Sequence, residues 1–344
     1  MWSLWVAFII FILLLLALDL GVFHRKAHVI SLKEALRLSG VWIGVALLFN
    51  VFIYFAYEYH WFELDIPEDE PDGRTAAILF LAGYMVEKSL GMDNVFVIAM
   101  IFSYFGIPAL YQHRVLFWGI VGALVMRAMM ILTGVALIER FHWILYVFGA
   151  FLIVSGVRMA MARHAPNPEK NPVIGLARRL LPVTHDLVRE QLAVRINGKL
   201  TLTPLALALI MIESSDVIFA IDSIPAIFAI TDDPFLVFTS NIMAVLGLRS
   251  LYFALAGIIH RFYYLKLSLA LLLALIGTKM LFKDVLHALP GVTYYTLGAI
   301  FLVLTGGIVA SIIRASRTPE SQQMEIPTRR KLIHRKKPME EASK

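Results

Sequence analysis

The sequence contains no cysteine among its 344 residues, and only 16% of its residues are charged. The absence of cysteine excludes disulfides, thiolate metal sites, iron–sulfur clusters and cysteine nucleophiles. Soluble domains typically have about 25% charged and about 45–50% apolar residues. Here 59% of the residues are hydrophobic and the mean hydropathy is +0.76. The apolar residues form long blocks, and a helix needs about 20 of them to cross a bilayer. The sequence therefore predicts a polytopic membrane protein.

The apolar blocks predict an all-α protein with about nine transmembrane helices. The predicted spans are 3–23, 37–58, 76–103, 115–138, 143–162, 203–230, 235–259, 265–284 and 291–313. They divide the chain into two N-terminal spans with an acidic external loop (1–75), two groups of three spans (76–162 and 203–284), a basic cytoplasmic loop (163–202), a last span (285–314) and a tail (315–344).

The distribution of basic residues predicts the orientation of these spans. Lys and Arg collect in alternate loops and in the tail, and such loops are cytoplasmic by the positive-inside rule. The N-terminus is therefore expected outside and the C-terminus inside, as an odd number of spans requires. The basic tail is expected to be disordered, because it has few large apolar residues. This location of the charge argues against a nucleic-acid partner.

An internal repeat relates spans 3–5 to spans 6–8. Asp93-Asn94-Val95-Phe96 matches Asp216-Val217-Ile218-Phe219, and Arg127 matches Arg249. Arg140-Phe141 matches Arg261-Phe262, and Gly156-Val157-Arg158-Met159 matches Gly277-Thr278-Lys279-Met280. Because three spans is an odd number, the second copy must enter the membrane upside down. Inverted repeats are common in secondary transporters, which bind their substrate near the membrane midplane.

Five acidic residues lie inside two of the predicted spans. They are Glu87, Asp93, Glu213, Asp216 and Asp222. Each would cost about 2.5–3.5 kcal/mol at the centre of a bilayer, so five would cost on the order of 12–18 kcal/mol. That matches or exceeds the stability of a typical domain, which is about 5–15 kcal/mol. Protons, fixed basic partners or bound cations must neutralise them.

Two explanations for these acids stay open. In the first, Arg127 and Arg249, in the middle of spans 4 and 7, pair with the acids and hold the repeats together. In the second, the acids and Asn94 form an oxygen-rich site for a hard divalent cation. The second explanation needs the side chains to converge, and helix interruptions at Gly91, Ser214, Ser215 and Pro225 would help them do so. Mn²⁺ fits such a site, and Mg²⁺ and Ca²⁺ also fit on chemistry alone.

Two motifs resemble those of the TerC family, particularly its Alx-type bacterial members. The first runs from Glu87 to Phe96, and the second from Glu213 to Ala226. The resemblance covers residues 10–315 and implies an integral inner-membrane protein linked to tellurite resistance and to Mn²⁺ export. It also implies that Glu87, Asp93, Glu213, Asp216 and Asp222 handle the metal.

The predicted function is export of divalent metal ions, most of all Mn²⁺, by a secondary transporter coupled to protons. The chain has no ATP-binding motif and no hydrolase motif, so we expect no enzyme activity and no resident cofactor. The expected partners are the divalent ion, protons and the lipid bilayer. The alternative is a non-transporting membrane factor, either a redox or stress modulator or a scaffold for membrane-protein insertion. In that case the acids would be purely structural.

Overall fold

A computed structural model describes residues 2–21, 31–61, 71–161, 172–184, 186–188, 190–196, 198–255, 264–286 and 292–317. Within these residues the regular secondary structure is helical, apart from one short hairpin. The helices are α1 (Trp2–Gly21), α2 (Leu32–Glu58), α3 (Gly73–Phe105), α4 (Ala109–Arg140), α5 (Ile144–Met161), α6 (Pro172–Leu180), α7 (Pro204–Phe228), α8 (Pro234–Leu246), α9 (Leu248–Leu255), α10 (Leu265–Leu281), α11 (Lys283–Leu286) and α12 (Val292–Arg317). The antiparallel hairpin joins β1 (Ala193–Ile196) to β2 (Lys199–Leu202).

The all-α prediction is confirmed, and each predicted span overlaps a helix or a bent pair of helices. By length and composition, five helices in the described part of the chain qualify as membrane spans: α2, α4, α5, α7 and most of α12. The number rises to six if the bent pair α8–α9 is one span. A total of nine spans stays a prediction. The acidic loop between 62 and 70, Arg261-Phe262 and the tail from 318 onward lie outside the described residues.

The predicted helix interruptions in α3 and α7 are wrong. Helix α3 is continuous through Gly91, and α7 is continuous through Ser214 and Ser215. Pro225 lies within the last turn of α7 and does not end it. The Ser215 hydroxyl donates to the Met211 carbonyl at 2.8 Å, so this serine is accommodated inside the helix.

The break occurs instead between α8 and α9, at Gly247, where the two helices bend by 42°. A Cβ atom at Gly247 would lie 2.7 Å from Lys88 Nζ and 3.1 Å from Trp42 Cβ. A larger residue would have to displace the Lys88 ammonium and crowd Trp42, so glycine suits this bend.

The central helices pack in a reciprocal pattern. Helix α3 contacts both α7 and α8, and α4 contacts the same two helices. If the two groups of spans exchange places, α3 becomes α7 and α4 becomes the α8–α9 pair. The contact of α3 with α8 then becomes the contact of α7 with α4, which is also present.

The pairing of α5 with α10 follows the same exchange. A Cβ atom on Gly149 would lie 2.9 Å from the Gly277 carbonyl, and one on Gly156 would lie 2.7 Å from the Ala270 carbonyl. Adding the repeat offset of 121 converts 149 to 270 and 156 to 277, so each contact is the image of the other. These contacts support an inverted repeat, which stays a prediction for the whole chain.

Candidate intramembrane charge cluster

A buried guanidinium joins two of the five acids in the interior of the helix bundle. Arg127 on α4 is 1% exposed, and it forms salt bridges with Glu87 on α3 and Asp216 on α7. Its Nη2 donates to Asp216 Oδ1 at 3.1 Å, and its Nε donates to Oδ2 at 3.3 Å. Its Nη1 donates to Glu87 Oε1. The planar guanidinium thus holds carboxylates from both predicted repeats.

Two asparagines complete this cluster. Asn94 Nδ2 donates to Asp216 Oδ1 at 2.8 Å, and Asn241 Nδ2 donates to Glu87 Oε2 at 3.2 Å. Asn241 Oδ1 also accepts from Arg127 Nη1 at 3.1 Å. The charge cluster therefore consists of Glu87, Asn94, Arg127, Asp216 and Asn241, all of which are buried. It links α3, α4, α7 and α8.

Helix geometry explains why these side chains meet. Glu87 and Asn94 are seven residues apart, so they lie on one face of α3, separated by about two turns. Arg127, Asp216 and Asn241 each come from the middle of a different helix. A buried ionic group is tolerated when its hydrogen bonds are satisfied. This network provides partners for both carboxylates and for the guanidinium.

A small cavity of about 20 Å³ adjoins the charge cluster. Asn94, Asp216 and Arg249 contribute its polar lining, and Val245 and Leu248 flank the α8–α9 break on the same wall. On this measure a cavity of about 10–15 Å³ holds one water molecule. Asn94 Oδ1 is buried and accepts no hydrogen bond within the described residues. The site therefore has one free oxygen acceptor and room for a water-sized ligand.

Arg249, the repeat counterpart of Arg127, has a different partner. Its Nη2 lies 2.8 Å from Asp19 Oδ1, and both side chains are buried. This pair joins α9 to α1, which lies outside the predicted repeats. The two arginines thus differ in environment although they occupy equivalent positions in the sequence.

The other three acids lie outside the charge cluster. Ser155 on α5 donates to Asp222 Oδ1 at 2.7 Å. The Glu213 carboxylate packs against Gly122 of α4, where a side chain would collide with it. Asp93 is half-buried on α3, and the positive charge of Lys266 attracts its carboxylate. Within the described residues no group of three or more His, Asp and Glu side chains converges to hold a metal. The five acids thus do not share one pocket in this conformation.

Two half-buried lysines bond to backbone carbonyls. Lys88 Nζ donates to the Ala244 carbonyl at 3.1 Å, and Lys279 Nζ donates to the Ala229 carbonyl at 2.9 Å. Both carbonyls lie at the C-terminal end of a helix, where cations are favoured. Neither lysine makes a salt bridge with the five acids among the described residues. Lys88 thus stabilises the end of α8 at the Gly247 break.

Asn241 is the member of the charge cluster that the sequence analysis missed. Its signal is weak, because a single asparagine in an apolar span is a common hydrogen-bonding residue between helices. Nothing in its spacing points to Glu87, which is 154 residues away.

The chain resembles known proteins over most of its length. The pattern of the family described as "Integral membrane protein TerC family" matches residues 72–319. An uncharacterized membrane protein of Myxococcus xanthus is 48% identical over 93% of this chain and 95% of its own length. A protein of Escherichia coli K12, named as a membrane-bound redox modulator, Alx, is 46% identical over 88% of this chain and 91% of its own. An uncharacterized membrane protein of Rickettsia bellii is 42% identical over 90% and 97%. No solved structure matches the chain.

Proposed function

The chain belongs to the integral membrane protein TerC family, and from this premise we propose that it is a secondary transporter that exports divalent metal ions, chiefly Mn²⁺. The observation that carries this proposal is an imbalance of charge inside the bundle. Five acids lie on α3 and α7, and among the described residues a single basic side chain, Arg127, forms salt bridges with any of them. Arg249, Lys88 and Lys279 are engaged elsewhere. Salt bridges thus account for two acids. Lys266 and Arg158 act on Asp93 and Asp222 only from beyond salt-bridge distance, and Glu213 has no basic neighbour among the described residues. Protons or other mobile ions must therefore complete the neutralisation of these three acids.

The charge cluster supplies the chemistry for a divalent ion. With both carboxylates ionised, Glu87, Asp216 and Arg127 together carry a net charge of −1. Withdrawal of the Arg127 side chain leaves a charge of −2, which a divalent cation balances. Carboxylate and amide oxygens suit a hard ion such as Mn²⁺, and Asn94 Oδ1 is a free acceptor beside them. We propose that Arg127 and the transported ion alternate between Glu87 and Asp216.

The three remaining acids suit a role in coupling to protons. Asp93, Glu213 and Asp222 lie on α3 and α7, two of the four helices that the charge cluster links. An ionised acid in hydrocarbon is costly, and protonation removes that cost. We propose that these groups carry protons inward while the metal ion leaves, so that the proton gradient drives export.

The name of the Alx relatives raises the alternative of a non-transporting redox modulator. This chain has no cysteine, so it cannot exchange thiols and disulfides. An effect on the redox state of a cell would then be indirect, for example through the concentration of a redox-active metal. The lack of thiol chemistry thus favours the transporter over the modulator.

The proposal is tested by uptake of Mn²⁺ into inverted inner-membrane vesicles, because uptake there corresponds to export from the cell. Vesicles that contain the protein should accumulate Mn²⁺ when a pH gradient, acidic inside, is imposed. Collapsing the gradient with a proton carrier should abolish accumulation. Uptake equal to that of vesicles without the protein would overturn the transporter. Uptake that is unaffected by the gradient would overturn the proton coupling alone.

A further inference from the structure

The segment between α5 and α7 contains a short amphipathic helix that the membrane-spanning bundle leaves partly uncovered. Helix α6 has large apolar side chains at Val173, Leu176 and Leu180, which are 39%, 56% and 71% exposed. These positions are three and four residues apart, so they form one stripe along the helix. Ile174, to one side of the stripe, is buried in the protein core, and α6 contacts α7.

The basic residues of α6 lie away from the apolar stripe. Arg178 and Arg179 are exposed in its last turn. At about 100° per residue, Gly175 falls between these two arginines on the helix surface, opposite the stripe. An apolar stripe with arginines on the other side is typical of a helix that lies in a membrane interface.

Backbone hydrogen bonds fix α6 close to the point where the chain enters the membrane. Just after α6 ends, the Pro182 carbonyl accepts from Leu202 N at 2.8 Å, and Thr184 N donates to the Leu202 carbonyl at 2.8 Å. Leu202 lies two residues before Pro204, the first residue of α7. Pro182, two residues after the end of α6, is therefore bonded to Leu202, two residues before the start of a candidate membrane-spanning helix.

From this placement we propose that α6 is an interfacial helix whose Val173–Leu176–Leu180 stripe inserts among the lipids of the cytoplasmic leaflet. Arg178 and Arg179 then lie at the level of the headgroups and bind the phosphates of anionic lipids. A membrane surface fits better than a soluble partner, because the stripe lies on a helix tied to the start of α7 and the two arginines lie away from the stripe, as in a helix at a membrane interface. This inference is independent of the ion that the protein transports.

The absence of cysteine makes this proposal directly testable by spin labelling of the full-length protein in vesicles. The test compares two single-cysteine variants, Leu176→Cys on the stripe and Gly175→Cys on the opposite side, where a side chain meets open space. Oxygen concentrates in lipid, whereas a neutral nickel chelate stays in water. The Leu176→Cys label should collide several-fold more with oxygen relative to nickel than the Gly175→Cys label does.

Equal collision ratios at the two positions would overturn the proposal, because the stripe would then lie in water. Protection of the Leu176→Cys label from both reagents would also overturn it, because protein would cover the stripe. The variant Leu180→Cys provides the same test should Leu176→Cys fail to fold. Replacing anionic lipid by zwitterionic lipid, or changing Arg178 and Arg179 to Gln, should lower the ratio for Leu176→Cys. An unchanged ratio would contradict the phosphate contact.

Discussion

At the scale of single residues, Arg127 sets the balance of charge in the interior of the helix bundle. It is the guanidinium that compensates Glu87 and Asp216, and it reaches carboxylates on two helices at once. The sequence analysis identified Arg127 as a candidate partner, because an arginine in the middle of an apolar span needs an opposite charge. It could not identify the acids that pair with it, because the partners are 40 and 89 residues away.

The variant Arg127→Gln tests whether the Arg127 guanidinium neutralises the buried carboxylates in place of a metal ion. Removing one member of a buried ion pair leaves uncompensated charge and typically costs about 3–5 kcal/mol. The purified variant should therefore unfold at a lower temperature than the wild-type protein in detergent. Because two carboxylates are then left without their cation, Mn²⁺ should raise the unfolding temperature of Arg127→Gln more than that of the wild-type protein.

The control is Arg195→Gln, which removes an exposed arginine from β1 and should leave both the unfolding temperature and its response to Mn²⁺ nearly unchanged. A response to Mn²⁺ that is the same in Arg127→Gln and in the wild-type protein would contradict competition between Arg127 and the ion.

At the scale of helices, the close contact of α5 with α10 depends on small residues. A Cβ atom on Gly277 would lie 2.6 Å from the Gly149 carbonyl, and backbone cannot move aside cheaply. The variant Gly277→Ala should therefore lower the stability by about 1–3 kcal/mol, the usual cost of overpacking. Thermal unfolding in detergent measures this. Gly298→Ala in α12, where nothing lies within 4 Å, is the matched control and should be no less stable than the wild type. Equal unfolding temperatures for the two variants would contradict the contact.

The N-terminus of α3 gives an expectation that depends on pH. Asp72 caps this helix, and its side chain accepts from Thr75 N at 3.0 Å. The hydrogen bond from Thr75 holds the pKa of Asp72 below its usual value of 3.8. A lowered carboxyl pKa means that the cap stabilises the fold above that value, and that this stabilisation is lost as the pH falls through the folded-state pKa.

Asp72→Ala should thus cost about 0.5–2 kcal/mol at pH 7, the usual effect of losing an N-cap. The loss of stability in Asp72→Ala should shrink as the pH is lowered below 3.8. Asp72→Asn, by contrast, should retain the cap both at pH 7 and at low pH. Thermal unfolding of the three proteins at several pH values measures this. A penalty for Asp72→Ala that is the same at all pH values would show that the charge of Asp72 contributes nothing.

The positions of the long helices could be predicted from apolar blocks, but their irregularities could not. Gly91 and Gly247 are both glycines within predicted spans, and only Gly247 marks a break. Side chains of other helices approach both glycines, Leu248 at Gly91 and Lys88 and Trp42 at Gly247, so the glycine alone does not show where the helix breaks. Helix α6 and the β1–β2 hairpin were also missed. Their segment was read for its positive charge alone, although Val173, Leu176 and Leu180 give a helical spacing.

At the scale of the whole molecule, the central question is how five acids coexist within one helix bundle. The sequence predicted that they converge on a single site. The structure brings Glu87, Asp216 and Asn94 together and leaves Asp93, Glu213 and Asp222 at separate positions. Sequence spacing could not foresee this, because α3 and α7 run without interruption and direct their acids to different neighbours. The charge cluster and the three outlying acids therefore have different roles in the proposed transport cycle.

The account as a whole is tested most directly by measuring Mn²⁺ uptake into inverted vesicles for two matched acid-to-amide variants. Asp216→Asn removes a charge from the centre of the charge cluster. Glu190→Gln removes one from a half-exposed pair with Arg114, in the segment between α6 and β1. With equal amounts of folded protein in the membrane, Asp216→Asn should lose at least nine-tenths of the uptake (about tenfold, or about 1.4 kcal/mol), and Glu190→Gln should retain it. Full uptake by Asp216→Asn would contradict a transport site among these carboxylates.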